Sequence, residues 1–148
     1  MTAKVFLKIK YTFVLVFFIL LSFSISAQTA DLILKVTNIS PLTGKIMVAV
    51  FNSEETYFDV DKMYAGYEIA ADSSVVVYVI QDLPVGTYAI TIYHDEDNNG
   101  EMNRSWLGMP KEGYAFSNNF TSAIRPASFS DAAFQLSRDT TLVIKMNY

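Results

Sequence analysis

Val75-Val76-Val77-Tyr78-Val79-Ile80-Gln81-Asp82-Leu83-Pro84-Val85-Gly86-Thr87-Tyr88-Ala89-Ile90-Thr91-Ile92-Tyr93 contains two runs of β-branched and aromatic residues parted by one proline–glycine break. Such side chains pack well on a pleated, half-buried surface and are stiff in a helix. Both runs therefore read as strands, over residues 74–80 and 87–93, and residues 82–86 as the interruption between them. Upstream, Leu32, Leu34 and Val36 alternate with Ile33, Lys35 and Thr37, which predicts a first strand with one wetter face. Pro41-Leu42-Thr43-Gly44 is a turn, and Lys45–Phe51 is apolar on both faces after Lys45, as a central strand should be. Asn52-Ser53-Glu54-Glu55 carries a capping residue followed by acids, so a short helical excursion is expected from there to about Tyr64. Further strands are expected at residues 67–70 and 140–147, with one helical turn near residues 130–133. About seven short strands without alternating helices predict an all-β fold: an antiparallel two-sheet sandwich of immunoglobulin-like or prealbumin-like topology.

The start of the chain has a different character. Lys4, Lys8 and Lys10 precede an apolar run over residues 11–21, which gives way to Ser22-Phe23-Ser24-Ile25-Ser26-Ala27-Gln28. Basic, apolar and small residues in that order predict a signal peptide over residues 1–27, leaving a single domain over residues 28–148. The apolar run is shorter than the roughly 20 residues that span a bilayer, so no membrane span is expected after cleavage. Cysteine is absent, which excludes disulfides and a lipid-modified cysteine. Export without disulfides points to a bacterial envelope: periplasmic, outer-membrane-associated or secreted. The leader removes three lysines and no acid, so 8 basic residues face 15 acidic ones and the formal charge moves from −4 to −7. Nucleic acid is then not an expected partner, since phosphate binding needs a concentrated basic face. The expected partner is an envelope or extracellular ligand that the sequence does not name.

His94-Asp95-Glu96-Asp97-Asn98-Asn99-Gly100-Glu101 holds the one histidine and four acids. Asp95-x-Asp97-x-Asn99-Gly100 repeats the first half of a calcium loop, in which oxygen ligands alternate and a glycine permits the bend. Counting from Asp95, Trp106 stands where the bidentate glutamate of an EF-hand would be. Two readings follow. One is a turn of short polar side chains closed on their own backbone. The other is a weak calcium site using Asp95, Asp97, Asn99 and Glu101, its missing ligand supplied from elsewhere in the long loop or by water.

Periodicity then lapses until Phe134, far beyond the roughly 4 to 6 residues of an ordinary loop. Trp106, Tyr114, Phe116, Phe120 and Phe129 either line a ligand groove or fold back to seal the sandwich. In the groove reading His94, Trp106, Tyr114, Phe116, Asn118 and Asn119 form the ligand site. Arg104, Lys111 and Arg125 are the nearest cations in sequence to the acidic turn and are expected to pair with it. Catalytic signatures are missing: there is no cysteine nucleophile, no Gly-x-Ser-x-Gly and no His-Glu-x-x-His. His94 is expected at a strand end near solvent.

Leu83-Pro84-Val85-Gly86-Thr87-Tyr88 resembles the strand-opening signature of prealbumin-like and collagen-adhesin B-type domains, in which the tyrosine packs inward. The ordered series Phe51-Asn52-Ser53-Glu54, residues 82–88, residues 94–100, residues 107–119 and Phe129-Ser130-Asp131-Ala132-Ala133-Phe134 resembles an exported bacterial family, domain of unknown function 2141, over nearly all of the mature chain. The resemblance implies export and a β-sandwich and carries no activity with it. The expected function is an exported, non-catalytic binding or structural module with a calcium-stabilised turn. A small hydrolase acting on glycan or peptide through residues 94–134 is the alternative.

Overall fold

The computed structural model describes residues 28–122 and 124–148, so the expected leader over residues 1–27 lies outside the described residues. Among the described residues eight strands form two sheets: β1 (Thr29–Thr37), β2 (Lys45–Phe51), β3 (Ala65–Ala70), β4 (Val75–Pro84), β5 (Gly86–Asp95), β6 (Tyr114–Phe116), β7 (Phe134–Leu136) and β8 (Thr140–Lys145). One sheet has the order β4-β1-β8, the other β3-β2-β5-β6, with β7 also paired to β5. The break at Val85 is where the chain passes from the first sheet to the second, since β4 belongs to one and β5 to the other. The helical excursion is a pair of 3-10 turns, Glu54–Thr56 and Val60–Lys62, and α1 is a single turn over Phe129–Ala132. Among the described residues no helix is long and apolar enough to cross a membrane.

Alternation decides which side chains meet between the sheets. Leu32, Leu34 and Val36 of β1 pack with Ile46, Val48 and Val50 of β2, Ile90 and Ile92 of β5 and Ile144 of β8 in one buried cluster. β2 is central, as its apolar character on both faces required. Tyr88 packs inward, 3 % exposed, and its hydroxyl donates to the Pro84 carbonyl at 2.7 Å, tying β5 back across the crossover. One expectation is corrected. β1 lies between β4 and β8 and runs parallel to β8, with Leu34 opposite Leu142, while the other strand pairs are antiparallel.

The other face of β5 explains the long loop. Ala89 and Phe116 join Ala127 and Ala132 in a second buried cluster, with Tyr57, Tyr114, Phe120 and Phe129 packed against it. Phe51 and Tyr57 meet edge to face at 5.3 Å between ring centroids, Tyr57 and Phe129 at 5.7 Å. The loop thus returns over the outer face of the larger sheet. Asn118 and Asn119 adopt positive φ there. The Asn118 amide donates to the carbonyls of Asp131 and Ala133. The Asn119 side chain donates to the Val143 carbonyl at 3.0 Å and accepts from the Lys145 N–H at 2.7 Å, which satisfies part of the β8 edge as another strand would.

α1 is set by Ser128 and Asp131, which form a capping box. The Arg125 guanidinium, 2.6 Å from Asp131, holds that carboxyl well below the usual carboxylate range, helped by the Ser128 hydroxyl and backbone N–H. Because folding depresses this pKa, the stabilisation is complete above the ordinary value of 3.8 and is lost as pH falls through the folded value. Asp131→Asn should therefore be less stable than wild type near pH 7. The gap should narrow on acidification below about pH 4. Denaturant melts of both proteins across that range read it, and a gap independent of pH would show that the charge is not what matters.

Candidate functional site

β5 ends at Asp95, where the acidic turn begins, and the turn closes on the carboxylates themselves. The Asp95 carboxylate accepts from the N–H groups of Asn99 and Gly100, both at 3.0 Å. Asp97 accepts from the Asn99 N–H at 3.2 Å and from the side-chain amides of Asn99 and Asn103 at 3.1 and 2.9 Å. The Tyr93 hydroxyl donates to the Gly100 carbonyl at 2.9 Å. Asn98 and Gly100 take positive φ, 59° and 80°, so the chain can double back.

The residue that completes the group stands 17 positions beyond Asp95, just before β6. Glu112 accepts from the Glu96 N–H at 3.0 Å through one oxygen and from the Asn103 N–H at 2.8 Å through the other. Asp95, Asp97 and Glu112 each bring an oxygen to within 4.8 Å of the others. Asp95 and Glu112 are 2 % and 6 % exposed. Among the described residues no basic side chain makes an ion pair with any of the three. Hydrogen bonding from Asn103 holds the Asp97 carboxyl below its ordinary value. Burial raises the Tyr93 hydroxyl, and the charges of Asp95 and Glu112 push it further the same way. An open depression of about 420 Å³ beside the group is lined by Glu96, Asp97, Asn103, Arg104, Lys111 and Glu112.

Of the four metal ligands expected from sequence, Asp95 and Asp97 are in this group. Asn99 and Glu101 are in the turn but outside it. The Asn99 side-chain oxygen accepts the Glu101 N–H at 2.7 Å, and Glu101 itself is exposed. Glu112 was missed; its only signal was an acid placed before a glycine at the end of the irregular segment.

The six residues expected to share a ligand groove are dispersed. None of them lines the depression. His94 is fully buried, its Nε2 2.7 Å from the Thr43 carbonyl and its Nδ1 2.9 Å from the Tyr148 hydroxyl, so the expectation of a solvent-facing histidine is corrected. A carbonyl only accepts, so Nε2 carries a proton, and in the neutral ring Nδ1 then accepts from the tyrosine. Tyr114 and Phe116 belong to the second cluster and Asn118 and Asn119 to the backbone supports already described. Trp106 is 92 % exposed. The expected charge partners also differ: Arg125 pairs with Asp131 and lies 4.9 Å over the Phe120 ring, while Arg104 donates to the Gly108 carbonyl.

Neither a curated protein nor a solved structure matches the chain. A family profile described as an uncharacterized protein conserved in bacteria, DUF2141, matches residues 34–144, from the middle of β1 to the last residue but one of β8 and across both sheets and the acidic turn, and the chain belongs to that family.

Proposed function

We propose that the protein is an exported, non-catalytic module of the bacterial envelope whose acidic end binds calcium and thereby fixes the base of the long loop. The observation that carries this reading is the convergence of Asp95, Asp97 and Glu112 within 4.8 Å, two of them buried and none ion-paired among the described residues. Like charges that close repel unless something offsets them, and a hard cation with oxygen ligands does so directly. Asp95 and Asp97 lie at one root of the loop and Glu112 at the other. One ion would clamp both. The basic, then apolar, then small residues at the start of the sequence support export, and the family's description as conserved in bacteria supports a bacterial setting. A hydrolase that used His94 as its base would need that ring accessible, whereas both of its nitrogens are engaged in the interior.

With three carboxylates and open coordination, the affinity should match extracellular calcium modules, with dissociation constants of about 10⁻⁴ to 10⁻³ M. At about 10 mM calcium, binding only the folded state would then add about 1.4 to 2.7 kcal/mol. The expected rise in melting temperature over chelator is about 5 to 10 °C. Glu112→Gln and Asp97→Asn should each abolish it, and magnesium should give less. Equal melting temperatures in calcium and chelator would mean that the turn is held by its backbone hydrogen bonds alone. An equal shift with magnesium would reduce the effect to charge neutralisation.

A further inference from the structure

Residues 103–111 form a small hairpin that stands on the acidic site. Its two arms meet through a bridge between Arg104 and Pro110 and through the Lys111 N–H donating to the Asn103 carbonyl at 2.8 Å. The tip turns at Ser105-Trp106-Leu107-Gly108, closed by the Gly108 N–H on the Ser105 carbonyl at 2.8 Å, with Gly108 at φ +79°. The Ser105 N–H donates to the Met109 carbonyl, the Met109 N–H to the Ser105 hydroxyl, and the Arg104 guanidinium to the Gly108 carbonyl. The hairpin therefore meets its own backbone demands.

What it displays is unusual for a surface turn. Trp106 is 92 % exposed, Leu107 67 % and Met109 57 %, three large apolar side chains within four positions. Isolated exposed apolar residues are ordinary, but a contiguous group at a tip marks a contact surface. Its charge also runs against the rest of the chain: residues 102–111 carry Arg104 and Lys111 and no acid, in a protein of net charge −4. Neither cation is ion-paired among the described residues. Tryptophan favours the level of lipid headgroups, leucine and methionine the acyl boundary just below, and flanking lysine and arginine the phosphates of anionic lipids.

We infer that the Trp106–Met109 tip is a membrane-interface anchor, which seats the domain on an anionic lipid surface without spanning it. The acids beneath, Glu96, Asp97 and Glu112, line the depression together with the two cations and limit the contact to the tip. This inference does not require an ion at the acidic site, so the two stand or fall separately.

Trp106 is the only tryptophan of the sequence, so tryptophan emission, excited selectively over the tyrosines, reports the tip alone. The exported protein is mixed, in chelator, with vesicles of phosphatidylcholine or of phosphatidylcholine with phosphatidylglycerol. The expected result is a shift of emission to shorter wavelength and co-flotation with the anionic vesicles, weakened by salt. Leu107→Asp and Met109→Asp should each lower partitioning by about tenfold or more at unchanged melting temperature, because neither side chain is packed in the fold. Replacing Arg104 and Lys111 together by Gln should remove the preference for anionic lipid. Unshifted emission with every vesicle overturns the inference, as does binding that Leu107→Asp leaves intact. A shift produced by soluble oligosaccharide or peptide but not by vesicles would assign the tip to a different partner and overturn it equally.

Discussion

Gly44→Ala is expected to lower the melting temperature of the protein by on the order of 10 °C or more, through a collision that no side chain can relieve. Gly44 has φ +71°. A Cβ there would strike the Asp95 carbonyl oxygen and stand 2.9 Å from both the Asp95 carbonyl carbon and the Glu96 Cα. All three atoms are backbone, at the root of the acidic turn. The Gly44 carbonyl meanwhile accepts the Ala71 N–H at 3.2 Å, which resists a retreat of the turn. Left-handed geometry alone costs a non-glycine residue about 1 to 2 kcal/mol. The overlap adds to it, for a total of about 3 to 5 kcal/mol. At this chain length each kcal/mol lowers the melting temperature by about 3 to 5 °C. Gly100→Ala is the matched control, since Gly100 has φ +80° but nothing within 4 Å of its hypothetical Cβ. That variant should lose only the backbone cost. Thermal melts of the two variants that coincide would show that the approach of Gly44 to Asp95 contributes nothing.

Where the sequence was informative, the physics was local. Leu32, Leu34 and Val36 alternate because one face of β1 meets the opposite sheet, and that period of two is written within the strand itself. β2 and β5 were equally legible from their apolar runs. β6 and β7 were not, because three residues are too few to show a period and each exists by pairing with β5. The parallel pairing of β1 with β8 joins segments about a hundred positions apart, and no residue on either strand announces it. The acidic site divides the same way. Asp95 and Asp97 followed from spacing, since a turn brings near neighbours together. Glu112 arrives only because the loop folds back and two backbone N–H groups, of Glu96 and Asn103, aim its carboxylate.

His94 was placed wrongly for a related reason, and its burial leads to the second large effect. As the even-numbered neighbour of Ile92 on β5, it faces the interior, opposite Ile46, while Asp95 faces the other way. The segment that covers it is not local: Thr43 supplies the carbonyl for Nε2, and the Tyr148 hydroxyl donates to Nδ1 while accepting the Ser40 N–H at 2.9 Å. Three distant parts of the chain are joined through one ring. His94→Ala should destabilise by about 3 to 5 kcal/mol, combining a cavity with a stranded buried carbonyl. His94→Phe keeps most of the volume and isolates the polar part, for which about 1 to 3 kcal/mol is expected. Tyr148→Phe removes one hydrogen bond to the ring and the acceptor for Ser40. In a double-mutant cycle, His94→Phe and Tyr148→Phe should lose less together than the sum of their separate losses, because the shared bond can be broken only once. Strict additivity in denaturant melts would break the chain from Ser40 through Tyr148 to His94. If His94→Ala melts within about 0.5 kcal/mol of wild type, the histidine is not part of the interior at all, since that is the range of substitutions on an open surface.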